Sequence, residues 1–541
     1  MRVLTASDRA VLVECADLDE AMRMHRAWAG VSGVLERVPG ARTVLVRFDP
    51  LVTSAARLAR VLIATDADAA PPASGAEVTV PVRYEGDDLT EVATQLGVSA
   101  QEVIRRHGAA RWTVAFSGFA PGFGYLVCDD PLFDVPRRVS PRTRVPAGSV
   151  ALAGRFSGVY PRESPGGWQL IGTTDAVLWD VHRDPPALLS PGTVVRFTVA
   201  ERDAGPSGVP GVMPGVSGMS DASAAERGVG LRHADAGPDA PRVPTSALVV
   251  VNPGLQLLVQ DRGRPGLAEL GVPASGAADR VALRDANRAV GNASGSAVLE
   301  GIGLAALRFH GDGVAAVTGA VAELTVTGAD GRARTVGHGI PFAVDDGDEL
   351  QIGAPSCGLR FAIGVRGGIR MPEHLGSQAT DTLSGIGPAP LQPGDVVPVG
   401  GTAPFAVEPA RLPRELPAPG DLVVLDVTLG PREHWFTPDS VRTLSAQEWL
   451  VTPRSDRVGI RLHGERPLQR AIRDELPSEG AVDGAIQVPG DGQPVMFLPD
   501  HPTTGGYPVI GALTDAARDL AGQLPPGVRV RFRVVSRPFD Q

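Results

Sequence analysis

The sequence predicts a β-rich α+β protein of several domains, with a small α/β subdomain at the N-terminus. Three observations predict it. Gly (66) and Pro (49) are frequent while aromatic residues make up 5% of the chain, so short Val, Ile, Leu and Phe runs are repeatedly cut by turn formers; many short strands give this pattern. One stretch occurs twice: residues 164–176 read SPGGWQLIGTTDA and residues 503–516 read TTGGYPVIGALTDA, followed at similar distances by LSPGTVVRF (189–197) and LPPGVRVRF (524–532). Two echoes in the same order mark the closing segments of two related domains. Finally, 541 residues with 43% hydrophobic content exceed one ordinary core.

The elements follow in order. RTVLVRF (42–48) reads as a strand ending at Asp49-Pro50, and 18–28 has helical spacing, so 1–70 form the α/β subdomain. Pro71-Pro72 breaks the chain. In 71–200, EVTVPVRY (77–84) is a strand, Asp87-Asp88-Leu89 caps a helix toward Leu96, and Ser99 with Glu102 forms a capping box for a helix to His107. A short strand at 112–116 leads into SGFAPGFGYL (117–126), then RTRVPAGSVALAG (142–154), the first Gly-Gly segment and a strand at 194–199. Residues 201–246 are poor in large apolar side chains and rich in Gly, Pro, Ser and Ala, which predicts a flexible linker. The second half opens with ALVVVNPG (247–254), then LLVQDRGRPGLAELGVPASG (257–276) and a helix over 278–290, with Asn292 and Glu300 flanking the next turn and strand. Turns at 345–352 and 392–399 resemble barrel closures and complete a first lobe, 247–402. A Pro-rich stretch, 404–419, leads into a last lobe, 403–541.

Net charge is −10, against the basic face of a nucleic-acid binder. All 51 basic residues are Arg. That excludes a Walker lysine, a Schiff-base lysine and an internal biotinyl-lysine, and leaves guanidinium as the permanent cation for phosphate or carboxylate. Cys15, Cys128 and Cys357 lack CxxC spacing and the ten His form no HExxH, so free thiols and no structural zinc are expected. No apolar run reaches membrane-span length and Met1 opens no signal-peptide pattern, which predicts a cytoplasmic protein that binds neither membrane nor nucleic acid.

Candidate site residues come from the glycine loops and the Arg clusters. In SGFAPGFGYL, Gly118, Gly122 and Gly124 let backbone approach a ligand around Pro121, while Phe119, Phe123 and Tyr125 wall a small pocket; an aromatic core turn is the competing reading. Gly166, Gly167 and Trp168, and Thr503, Thr504, Gly505, Gly506 and Tyr507, are the paired Gly-Gly loops. Gly pairs more often serve tight turns, but the two Thr hydroxyls beside bare N–H groups suit an anion. Arg142 and Arg144 precede Gly148 and Ser149; Asp261 sits between Gln260 and Arg262 with Arg264 beyond; Asp456, Arg457 and Arg461 form another charged group. Converging across a domain interface, these arginines would hold a carboxylate or phosphate bidentately; surface ion pairs are the ordinary alternative. Gln487, Gln493 and Asp500 are polar residues among apolar strand residues. No nucleophile elbow, P-loop or strand-framed GxGxxG occurs.

Together these segments resemble a known family pair. PVRYEGDDL, SGFAPGFGYL, PAGSVALAG and PGGWQLIGTT resemble the first carboxyltransferase-type subunit of bacterial ATP-dependent 5-oxoprolinase, also called allophanate hydrolase subunit 1 or Kip-inhibitor-like. NPGLQLLVQDRGRPG, GVPASGAADRVALRDANRAVGN, SDRVGIRL, GAIQVPGDGQP and DHPTTGGYPVIG resemble the second, allophanate hydrolase subunit 2 or Kip-antagonist-like. The resemblance covers about 10–200 and 247–535, so the chain looks like a fusion of the two. The same pair forms the carboxyltransferase region of urea carboxylase, which implies cyclophilin-like β-barrel lobes and a site where the halves meet. Thr193, Pro502 and residues 375–380 (LGSQAT) depart from the family pattern, the last two in places that bear on substrate choice.

The resemblance implies conversion of 5-oxo-L-proline, ATP and water to L-glutamate, ADP and phosphate, with ATP and Mg²⁺ bound and with a separate LamB/YcsF-type subunit as partner. On that reading Arg264, Arg457 and Arg461 hold anionic groups, Asp261 or Asp500 orients water or Mg²⁺, and the chain alone opens 5-oxoproline poorly. Two alternatives stand beside it: biotin-dependent carboxyl transfer to urea or another amide, and Kip-type regulation of a histidine kinase.

Overall fold

The computed structural model describes residues 1–66, 76–138, 140, 142–200, 246–408 and 414–535. The expected linker and the Pro71-Pro72 break lie outside the described residues.

The N-terminal subdomain is a four-stranded antiparallel sheet in the order Arg2–Ser7, Ala10–Glu14, Thr43–Phe48, Val34–Pro39. Its helices, Leu18–Ala27 and Ala55–Ala64, begin where Asp17 and Ser54 accept backbone N–H bonds. Alternation along the strands sorts the side chains. Val11, Val13, Val44 and Val46 face the helices, with Met24, Trp28, Leu58 and Leu62. Leu12, Val38 and Leu45 face the other way, against Ala485, Phe497, Val509 and Ala512 of the last lobe. The subdomain is therefore clamped to the far end of its own chain.

The next lobe is a seven-stranded sheet in the order Gln169–Thr173, Ser149–Ala153, Phe156–Val159, Gly124–Val127, Trp112–Ser117, Val194–Val199, Glu77–Val82. Its edges meet where Arg83 and Thr173 exchange two backbone hydrogen bonds, each 2.8 Å. The last lobe is a closed barrel: Val509–Leu513, Ala485–Gln487, Val495–Phe497, Gly459–His463, Trp449–Val451, Arg529–Val534, Leu422–Leu429. Strand for strand the order is that of the first barrel, and each has one parallel pair, between its first and last strands. A Trp indole repeats as well: Trp112 donates to the His107 carbonyl at 3.0 Å and Trp449 to that of Leu444 at 2.9 Å, each five residues back at the end of a helix. The duplicated sequence is thus a duplicated barrel, and the β-rich α+β class with barrel lobes is the one formed.

Between them, a six-stranded and a five-stranded sheet pack face to face around Leu248, Leu257, Val317, Leu350, Phe361 and Ile363. The helix Arg280–Ala289 covers one side. The turns expected to close a barrel instead feed Glu349–Ile352 and Val396–Pro398, two members of the six-stranded sheet. Ser99 caps its helix through the Glu102 N–H as expected. Asp88, however, makes no cap bond; its oxygens go to Arg138, Arg142 and the Leu170 N–H.

Candidate active site

The loop 500–504 leading into the second Gly-Gly segment is gripped from two sides. On one side is the first barrel's turn at 118–123. The Phe119 N–H donates to Thr504 Oγ1 at 2.8 Å, and Tyr125 Oη lies 3.3 Å from the same oxygen. A side chain at Gly118 would put its Cβ 2.6 Å from Thr504 Cγ2, so glycine is what permits the approach. On the other side is the corresponding turn of the second barrel. Arg457 donates to Asp500 through Nε (3.0 Å) and Nη2 (3.2 Å), to the Gly276 carbonyl at 2.6 Å, and through Nη1 to Glu300. Equivalent turns of two barrels and a segment of the sandwich thus converge on one loop.

Around Asp500 lies a buried polar network. Asp500 also accepts from Ser275 Oγ (2.7 Å) and from Thr382 Oγ1 (2.7 Å) and N–H (2.9 Å). Burial alone would raise its pKa, but Arg457 and these donors hold it below the ordinary value. Asp381 beside it goes the other way: burial, then the charge of Asp500, pushes it up to about 6. Two neighbouring carboxyls with opposed shifts form an acid and an anion at one place. Arg264, 2% exposed, donates to the carbonyls of His374 and Ala379, and its Nη1 meets no partner among the described residues.

Of the residues expected at a site, Gly118, Phe119, Thr503, Thr504, Arg264, Arg457 and Asp500 do gather here, with roles that differ in part. Arg457 is buried and saturated by Asp500 and Glu300, so it fixes Asp500 and holds no ligand anion. Both oxygens of Asp500 and of Asp261 are engaged by donors of the protein itself, which sets them to bracing loops rather than to orienting water or Mg²⁺. Asp261 accepts from Gly263 N–H, Ser377 Oγ and Gln378 N–H and shapes its own loop. Phe123 and Tyr125 are core: with Trp168, Tyr160 and Phe116 they pack as edge-to-face and stacked rings on the outer face of the first barrel, in one cluster with Leu18 and Ala41 of the N-terminal subdomain. Pro121 and Gly122 turn tightly over Leu178 and Trp179.

Other candidates lie elsewhere. Arg142 is the counter-ion of Asp88, paired through both terminal nitrogens at 2.8 Å. Ser149 Oγ donates to the Pro146 carbonyl, and Gly148 abuts that of Thr174. Gly166 lies under Tyr160, and the Gly167 carbonyl accepts from Arg138 N–H. Gln493 makes a reciprocal pair with the Gly464 backbone, and Gln487 reaches the Tyr507 carbonyl. Gly505 faces Gln487, Gly506 faces Arg137, and the Tyr507 ring lies 5.8 Å beneath Arg470. Arg461 points outward from the second barrel, its N–H on Ser455 Oγ. The residues that sequence reasoning passed over are Ser275, Asp381, Thr382 and His501. The one hint was the atypical stretch 375–380, which runs directly into Asp381.

Residues 1–189 match the family described as carboxyltransferase domain, subdomain C and D, and 270–534 match carboxyltransferase domain, subdomain A and B. The chain belongs to this carboxyltransferase-domain family. Within it, the halves join two subunit types on one polypeptide. One region is 34% identical over 289 residues, 90% of the relative and 53% of this chain, to the C subunit of 5-oxoprolinase from Escherichia coli (strain K12). The other is 37% identical over 190 residues, 87% of the relative and 34% of this chain, to the B subunit of 5-oxoprolinase from Escherichia coli O157:H7. Urea amidolyase of Lachancea kluyveri is 31% identical over 323 residues, which are 54% of this chain and 17% of that protein. The crystal structure of TTHA0988 superposes with a TM-score of 0.78 at 33% identity, covering 97% of this chain and 99% of that one. Among the described residues no helix is long and apolar enough to cross a membrane.

Proposed function

We propose that the chain is a component of an ATP-dependent 5-oxoprolinase that works with a separate LamB/YcsF-type subunit. The observation that carries this reading is that regions similar to the B and C subunits of 5-oxoprolinase share one chain and together build the junction at Asp500 and Thr504. The chemistry sets the demands. The lactam oxygen attacks the γ-phosphorus and ADP leaves. One water adds at the activated carbon, the C–N bond breaks as nitrogen takes a proton, and γ-glutamyl phosphate forms. A second water releases phosphate and leaves glutamate. These steps need fixed donors for developing charge and a carboxyl able to pass a proton near neutrality. Asp381, pushed up to about 6, is that carboxyl. Asp500 stays ionised beside it, and Arg264 offers an unpaired N–H to an anionic group. On this reading Mg²⁺ would be held chiefly by the ATP phosphates and would neutralise their charge; among the described residues no three His, Cys, Asp or Glu side chains are grouped to hold a metal ion.

The test is ADP and glutamate release from 5-oxoproline by the purified chain, alone and with the partner subunit. Release is expected only with both. Glutamate formation by the chain alone removes the partner from the proposal, and none in either case removes the reaction. Transfer of a carboxyl group from carboxybiotin to urea in the same preparation would favour the second reading, to which the carboxyltransferase family and the urea amidolyase similarity point.

A further inference from the structure

Beside the carboxylate network, where the N-terminal sheet, the sandwich and the second barrel meet, lies a cleft of about 210 Å³ into which Ser275 faces. One water occupies roughly 10–15 Å³ of such space, so there is room for a molecule on the order of ten non-hydrogen atoms.

Its lining is under-satisfied. Thr503 Oγ1, Asp483 Oδ1 and Arg518 Nε are buried and have no hydrogen-bond partner among the described residues, whereas buried polar atoms are generally almost always paired. His501 adds an acceptor. Its Nδ1 lies 2.8 Å from the Pro502 carbonyl; a carbonyl can only accept, so Nδ1 carries the proton and Nε2 keeps its lone pair. Burial holds the pKa of this ring below the ordinary value, which keeps it neutral. At the rim, Arg262 donates to Ser294 Oγ and, among the described residues, has no carboxylate in ion-pair range. The cleft's other guanidiniums are occupied: Arg47 by Glu36, Arg280 by Asp515 and Asp519, Arg518 by Asp483 and Asp515.

We propose that this cleft binds a small molecule bearing both a carboxylate and a neutral N–H donor, with Arg262 holding the carboxylate, Asp483 and His501 accepting from the N–H, and Thr503 donating to its carbonyl oxygen. Inorganic phosphate fits less well, since it would set an anion against the unpaired oxygen of Asp483. A lactam acid carries all three groups, so the identity of the ligand, though not the existence of the site, rests on the function proposed above.

The test is calorimetric titration of the full chain with four probes: 5-oxoproline, 2-pyrrolidone, cyclopentanecarboxylate and inorganic phosphate. The bifunctional probe is expected to bind at least about tenfold more tightly than the other three. Arg262→Gln should reduce it to the level of 2-pyrrolidone. The near-isosteric Thr503→Val should weaken it severalfold with the unfolding midpoint preserved, because that hydroxyl has no partner to lose among the described residues. Absence of binding by 5-oxoproline overturns the assigned ligand, and equal binding by wild type and both variants overturns the site. Turnover with the partner subunit separates the two proposals. Binding without turnover keeps the cleft and removes the reaction; turnover with binding indifferent to Arg262→Gln keeps the reaction and removes the cleft.

Discussion

The two barrels share a strand order and use their loops differently. Aligned on their Gly-Gly pairs, Pro161 and Pro165 of the first stand where the second has Asp500 and Thr504. Aligned on Gly124 and Gly459, Gly122 stands where the second barrel has Arg457. The polar site is therefore carried by the second barrel's loop, while the first contributes a glycine turn that packs against it. A second contrast concerns charge. In the first barrel Asp88 bonds Arg142, and in the second Arg432 bonds Glu479, at matching places: each leading residue also donates its own N–H to the neighbouring strand, at Leu170 (3.0 Å) and Val509 (3.2 Å). The same bolt exists with its polarity reversed. A pair that can be inverted serves architecture, which is why Arg142 is a brace and not an anion receptor. The inverted copy does more, because Arg432 also reaches Glu14 and ties the N-terminal subdomain to the last lobe.

Substitutions break or sharpen this contrast. The largest effect is expected at Arg457, whose removal strands two buried carboxylates where the first barrel has only glycine. Arg457→Leu should cost about 3–5 kcal/mol in urea denaturation and abolish turnover; a loss below about 1 kcal/mol would mean Asp500 is not held by it. Next, Arg432→Asp should cost about 3 kcal/mol, and adding Glu479→Arg should recover more than half by recreating the first barrel's polarity. A double variant no better than the single would deny that the two bolts are equivalent. Thr504→Val removes the acceptor for Phe119 and should cost about 1–2 kcal/mol, whereas Pro165→Thr at the matching place of the first barrel should change stability by less than about 0.5 kcal/mol. Asp381 is raised first by burial and then by Asp500, which the second barrel's loop delivers to it. Its folded pKa, about 6, lies above the ordinary carboxylate value, so the folded state binds its proton more tightly. That contribution is full below about pH 4 and is lost as pH rises through 6. Midpoints at pH 4, 5 and 6.5 should show it in wild type and not in Asp381→Asn. Smallest of all, Arg461→Ala, on the barrel exterior, should leave stability within about 0.5 kcal/mol and turnover unchanged.

The duplication was legible because turn glycines and closing strands are local features whose spacing survives in the chain. So was the Ser99 cap, a contact three residues long. The partners of the charged residues were not. Arg457 and Glu300 are 157 positions apart, and nothing in their neighbourhoods marks one for the other. Asp88 looked like a helix cap because its local context is that of a cap; tertiary placement of Arg138 and Arg142 claimed its oxygens. Phe123 and Tyr125 looked like pocket walls because glycines surround them, yet the contact between the barrel's outer face and the N-terminal subdomain needed filling and took them. The clamp of the first subdomain on the last lobe was also hidden. Alternation in VLV and TVLVRF shows a strand with two apolar faces and cannot say what covers the second.

Phe119 adopts φ 64°, a left-handed conformation that a bulky side chain rarely takes, and its N–H finds its acceptor in a residue 385 positions away. The turn is thus completed by the other half of the chain. Severing the polypeptide between the halves would convert an internal fit into an association that weakens on dilution, whereas one covalent strand fixes a one-to-one stoichiometry at any expression level.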